Sequence, residues 1–191
     1  DTMSPLANIV LPSVKAASDI MPYTSEVHKG PFAFRVLKDS KLVKSKSLEG
    51  GLTMDFYKSG KIREIISVSP LSKYDDIKKQ NVLYNYLVGF IGSHNLSQGK
   101  PAQYATVWND TLPGAYFEIK GDKYSLFVMT VYDDTHRYTY YMSKPHDVHV
   151  SNYKLRDIVQ YVTYKNTKDG YKKMKLGLGM PSRAFSNNRV H

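Results

Sequence analysis

The sequence predicts an α+β fold in which an antiparallel sheet of about five to seven strands is flanked by two principal helices, an α/β/α sandwich-like arrangement. Three observations carry this. Runs of alternating apolar and polar residues recur from Phe32 to Met142 with short polar connections, the pattern of antiparallel neighbours. Two other segments repeat apolar residues at three- and four-residue spacing. With 41% hydrophobic residues and sixteen tyrosines among 191, the chain can bury a core on half-wet strands. The length suits one domain over 31–166, preceded by an extended leader over 1–30 and followed by a basic tail over 167–191.

The leader is read from Pro5, Pro12 and Pro22 among small and polar residues, with Ile9, Val10 and Leu11 able to dock. Phe32 to Leu37 alternates as a strand, and Leu52 to Tyr57 alternates more cleanly. Lys58-Ser59-Gly60 closes a hairpin onto a return strand, Ile62 to Val68, which Ser69-Pro70 ends because proline cannot donate to the ladder. The first helix runs from about Tyr74 to His94. Ser72 and Asp75 have capping-box spacing, Asp75 and Asp76 suit the positive helix start, and Ile77, Tyr84, Leu87, Val88 and Ile91 form one face.

After the breakers from Ser97 to Pro101, four strand-like runs follow: Tyr104 to Trp108, Ala115 to Ile119, Tyr124 to Tyr132 and Arg137 to Met142. Lys120-Gly121-Asp122 and Asp133-Asp134-Thr135 are turns of hairpin length, so this half reads as a meander. A second helix starts near Ser151, carries Tyr153 or Leu155, then Ile158, Val159 and Val162 at three- and four-residue spacing, and stops at Asp169-Gly170. No period of 20–50 residues recurs. No apolar run approaches the roughly 18–20 residues that span a bilayer, so no transmembrane span is expected.

That order of elements, with Leu155-Arg156-Asp157-Ile158-Val159-Gln160-Tyr161-Val162 as the last helix, resembles the PsbP-like and DcrB-like families. The stretch from Leu112-Pro113-Gly114 through Tyr116 to Ile119 and from Tyr124 to Met142 is similar to their central strands. The resemblance implies an α/β/α sandwich over about Phe32 to Lys165, and a non-enzymatic domain that attaches to larger assemblies in a lumen or periplasm.

Several chemistries are disfavoured. The absence of cysteine removes disulfides, thiolate metal sites and cysteine nucleophiles. His146-Asp147-Val148-His149 with Asp133, Asp134 and His136 is the nearest thing to a metal cluster. Pro145 holds its first part extended, and the two groups fall at opposite ends of one strand, so solvated loop residues are the better reading and a metal-dependent hydrolase the lesser one. Gly92-Ser93-His94 is no nucleophile elbow, and Gly177-Leu178-Gly179 lacks the strand–turn–helix context of a phosphate loop. Asp75-Asp76 and Asp133-Asp134 are explained as helix-start and turn residues. Asn95-Leu96-Ser97 and Asn109-Asp110-Thr111 match a glycosylation pattern that arises often by chance. Neither a catalytic site nor a cofactor is expected.

The net charge is +10, and from Thr163 onward seven cations stand against Asp169, a balance of +6. Tyr161, Tyr164 and Tyr171 interleave there with Lys165, Lys168, Lys172, Lys173, Lys175 and Arg183, a mixture able to neutralise anions while aromatics stack. These residues are the expected partner-binding segment. The partner is expected to be protein in a bacterial cell-envelope assembly such as a secretion system, with nucleic acid or an anionic membrane surface as alternatives. A periplasmic or secreted location is expected from the missing cysteines and from a first residue, Asp1, that is not methionine, as in a chain from which a signal peptide was removed.

Overall fold

The computed structural model describes residues 21–72, 100–109, 112–166, 170–173 and 175–177. Its elements are β1 (Thr24–Lys29), β2 (Phe32–Leu37), β3 (Lys41–Ser47), β4 (Thr53–Ser59), β5 (Ile62–Pro70), β6 (Lys100–Asn109), β7 (Leu112–Lys120), β8 (Tyr124–Tyr132), β9 (His136–Pro145), α1 (Asn152–Gln160), β10 (Thr163–Asn166), β11 (Gly170–Lys173) and β12 (Lys175–Gly177). The strands form two sheets, one ordered β1-β2-β10-β11 and the other β12-β6-β7-β8-β9-β5-β4-β3. Every pairing among the described residues is antiparallel.

This overturns the expected single sheet of five to seven strands between two helices, and with it the α/β/α sandwich implied by the PsbP-like and DcrB-like resemblance. The described residues are mostly β, in two antiparallel sheets of four and eight strands, and α1 is the one α-helix among them. The helix expected over Tyr74 to His94 lies outside them. The second helix is shorter than the spacing suggests. It begins after Ser151 as expected, but Tyr161 N–H turns back to the Ile158 carbonyl at 3.2 Å and Val162 N–H to that of Gln160 at 3.0 Å, closing the last turn. β-Branched Thr163 and aromatic Tyr164 then suit a strand better than a helix, and they pair with Ala33 and Phe32. Three further strands, β1, β3 and β11, come from stretches in which no strand is expected.

The hairpin and meander expectations correspond closely to β4–β5 and β6–β9. Gly60, at φ +57, occupies the first of two turn positions between Ser59 and Ile62, where a side chain would be strained. The β5 ladder runs past Val68 to Pro70, which pairs with His136.

The core lies where β2 packs on the long sheet. Phe32, Phe34 and Val36 cluster with Ile62 and Ile66 of β5 and with Tyr138, Tyr140 and Met142 of β9; Leu155, Val159 and Val162 close it. Phe32 meets Tyr138 edge-on with ring centroids 5.0 Å apart, and Phe34 meets Tyr140 at 6.1 Å and 85°. Each such fully buried side chain contributes about 1.5–3 kcal/mol. The alternation Ile62 in, Arg63 out, Glu64 in, Ile65 half-buried, Ile66 in sorts β5 into a core face and an outer face. Cross-strand register carries that sorting to β4 and β3.

A cationic sheet face as the candidate functional site

The outer face at the β3 end of the long sheet gathers five cations. Lys58 of β4 stands opposite Arg63 of β5, which places it on the outer face, and Phe56 and Met54 follow at two-residue intervals. On β3, Lys41 stands opposite Lys58, Lys44 opposite Phe56 and Lys46 opposite Met54. A regular strand would send Lys41 and Lys44 to opposite faces because they are three apart. The ladder instead steps from Leu42 to Lys44 while β4 steps only from Tyr57 to Phe56, so Val43 is an extra residue, a β-bulge. That one bulge brings Lys41, Lys44 and Lys46 onto the same face.

All five cations are exposed, whereas Phe56 and Tyr141 beneath them are half-buried. The Lys44 ammonium lies 4.9 Å from the Phe56 ring centroid and that of Lys46 lies 5.7 Å from it. None of the five cations forms an ion pair with a carboxylate among the described residues, whose pairs are His28–Glu26, Lys29–Asp55, Arg35–Glu26, Lys61–Asp147 and Arg156–Glu118. Lys41, Lys58 and Arg63 therefore form a row of like charges in register across three strands. Like charges directly opposed in this way weaken a sheet.

The residues expected to bind a partner are divided by the structure. The β10–β11 hairpin sets Tyr164 opposite Lys172, Lys165 opposite Tyr171 and Thr163 opposite Lys173, so five of them share one ribbon. Lys175 belongs to the other sheet, opposite Trp108. Tyr161 is buried, at 9% exposure, and Tyr164 is half-buried against the core, so neither is the exposed stacking platform that the sequence suggests. Lys168 and Arg183 lie outside the described residues.

The two groups considered for a metal sit at opposite ends of β9, about 30 Å apart at 3.3 Å per residue. Asp133 caps the β8–β9 turn: Oδ1 accepts from Thr135 N–H at 2.8 Å and His136 N–H at 2.7 Å, and Oδ2 from the Tyr138 hydroxyl at 2.6 Å. Burial alone would raise its pKa, and these donors reverse that, holding it below the ordinary aspartate range. At the far end, His146 Nε2 is 2.7 Å from the Gly121 carbonyl oxygen, and Lys61 donates to Asp147 at 2.8 Å. No group of three or more metal-ligating side chains gathers among the described residues. Gly92-Ser93-His94 and Asn95-Leu96-Ser97 lie outside them.

Two buried carboxylates are built into the frame. Glu64, 0% exposed, accepts from Leu37 N–H at 3.0 Å and from the hydroxyls of Ser40 and Tyr140, tying the end of β2 to β5 and β9. Burial raises its pKa above the ordinary glutamate value despite those donors. Glu118 of β7 accepts from Tyr116 at 2.8 Å and is clasped by Arg156 of α1. Burial would lower the Arg156 pKa, but the hydrogen bonds and charge of Glu118 hold it above the ordinary value. Both carboxylates are enclosed, so their geometry serves packing.

Sequence reasoning passed over Lys41, Lys44, Lys46, Phe56, Lys58 and Arg63. Their signal was present in Lys44-Ser45-Lys46 and in Met54, Phe56 and Lys58, each set alternating at period two. It was hidden by the bulge at Val43, which breaks the period of β3, and by the low strand preference of lysine. No protein-family model matches the chain, and no curated protein matches it in sequence. Among the described residues no helix is long and apolar enough to cross a membrane.

Proposed function

We propose that this chain is a non-catalytic binding domain, an exported accessory subunit of a bacterial cell-envelope assembly, that takes an anionic protein partner on the outer face of β3–β5. The observation that carries the reading is the in-register row Lys41–Lys58–Arg63, like charges directly opposed with no ion pair to a carboxylate among the described residues. Local rules of this kind are broken at functional sites, and an anionic ligand would supply the charge this row lacks. Lys44 and Lys46 widen the row into a patch, and Met54, Phe56 and Ile65 give it an apolar floor of the kind found at the centre of protein interfaces. The envelope setting is supported by the cysteine-free composition.

Binding of labelled poly-glutamate, measured as a function of salt, tests the face against the tail. Lys44→Gln/Lys46→Gln/Lys58→Gln weakens binding and flattens its salt dependence more than Lys172→Gln/Lys173→Gln/Lys175→Gln does. Equal losses, or a larger loss from the second set, contradict the placement of the site.

A nucleic-acid partner is the second reading. What favours it is Phe56, a half-buried ring under two ammonium groups, on which an unpaired base could stack once the lysines turn to its phosphates. Affinity for an oligothymidylate that falls steeply with salt and is lost in Phe56→Ala would support it.

A further inference from the structure

We propose that the partner binds by strand addition, an acidic extended segment pairing with β3 as a ninth strand of the long sheet; this rests on the cationic face being the binding site. Among the described residues β3 is the terminal strand of that sheet, and all seven of its residues are exposed. A terminal strand presents one row of backbone N–H and C=O groups to any extended chain that can approach.

The charge on β3 decides which chain that is. A second copy of this protein would bring Lys41, Lys44 and Lys46 against the same three lysines, so edge-to-edge self-pairing is opposed by like charge. The same three lysines select a segment with carboxylates. A strand repeats its facing every two residues, about 6.6–7 Å, and a strand added to β3 sets its side chains roughly 4.5–5.5 Å from those opposite. Acidic residues at alternate positions would then stand beside the lysines, with Lys58 and Arg63 behind them on β4 and β5.

The other face of β3 sets the second half of the pattern. Leu42, opposite Tyr57, is 55% exposed and is the apolar residue the register places on that face, with Ser45 and Ser47 after it opposite Asp55 and Thr53; the bulge residue Val43 is 59% exposed. An added strand that alternates acidic and apolar residues therefore meets lysines on one side and Leu42 on the other. The partner segment is one of alternating Glu or Asp and aliphatic residues, extended and about six to eight residues long to match β3.

The test uses the full chain and a fluorescent (Glu-Val)4 peptide, followed by anisotropy and by amide hydrogen exchange. The expected result is saturable binding that weakens at least tenfold when every peptide nitrogen is methylated, with slowed exchange over residues 41–47. The variant Lys44→Glu/Lys46→Glu should lose (Glu-Val)4 and gain (Lys-Val)4, which separates a reversed charge from a misfolded chain. Equal binding of the methylated peptide overturns strand addition and leaves the cationic face standing. Binding of an oligothymidylate with no binding of (Glu-Val)4 overturns strand addition in favour of nucleic acid on that face. Binding of neither probe overturns both the mode and the face.

Discussion

Arg156 of α1 donates from Nη2 to Glu118 Oε1 of β7 at 2.9 Å, with both side chains about nine-tenths enclosed. The pair fastens the described helix to the long sheet, and Tyr116 adds a third buried polar group by donating to Glu118 at 2.8 Å. Removing one partner leaves a charge without its counter-ion in the interior, which costs on the order of 3–5 kcal/mol. Arg156→Met and Glu118→Leu are therefore each strongly destabilising in urea unfolding. Arg156→Met/Glu118→Leu/Tyr116→Phe, which removes the whole cluster and leaves no orphan, recovers most of the loss. A triple variant as unstable as the sum of the single ones would show that the cluster does more than satisfy itself.

Glu64 makes stability depend on pH in a stated direction. Its pKa in the folded protein is raised by burial, so over the interval from the ordinary glutamate value up to the raised one the folded state binds more protons than the unfolded state. Its contribution is full below that interval and is lost as pH rises through the folded pKa. Glu64→Gln, whose amide can accept from Leu37 and Tyr140 and donate to Ser40, removes this term at little structural cost. The Tm difference, variant minus wild type, should grow as pH rises above the ordinary glutamate value; a difference that stays flat contradicts the assignment.

Gly30 leads the β1–β2 turn at φ +54, followed by Pro31, and a Cβ built on it would lie 2.3 Å from the Tyr138 hydroxyl oxygen. Left-handed backbone costs a non-glycine residue about 1–2 kcal/mol, and the contact adds to it. Gly30→Ala should lower stability by roughly 2–3 kcal/mol in chemical denaturation, whereas Gly60→Ala, with open space around its Cβ, should show the backbone cost alone.

The bulge at Val43 makes a prediction from register. Leu42 and Lys44 flank it opposite consecutive residues Tyr57 and Phe56, so deleting Val43 yields a regular strand in which Lys41, Lys44 and Lys46 keep their faces. The deletion should change Tm little and retain poly-glutamate binding. Loss of binding with the fold intact, read by circular dichroism, would mean that Val43 itself or the bent edge contributes.

What the sequence shows of this fold follows from how local each signal is. The β4–β5 hairpin and the β7–β9 meander are legible because glycine and aspartate turns separate runs that alternate cleanly. β3 is illegible because its period breaks at Val43 and its residues are those that edge strands use against aggregation. The division into two sheets is a non-local fact. Phe32 to Leu37 reads as a strand, but nothing in those residues says that Thr163 and Tyr164 will pair with Phe32 and Ala33 from 130 positions away. Tyr161 and Tyr164 look like surface aromatics because lysines surround them in sequence, although the close of α1 turns them toward the core. The cationic face is visible only once register lines up Lys41, Lys58 and Arg63.

The most direct test of the account is therefore the salt dependence of poly-glutamate binding to the wild type and to the two lysine triples, one on the sheet face and one on the tail. Neutralising Lys44, Lys46 and Lys58 should remove most of the affinity and reduce the slope of log affinity against log salt, while neutralising Lys172, Lys173 and Lys175 leaves the larger part of both. The reverse ordering would contradict the claim that the outer face of β3–β5 is where this protein binds.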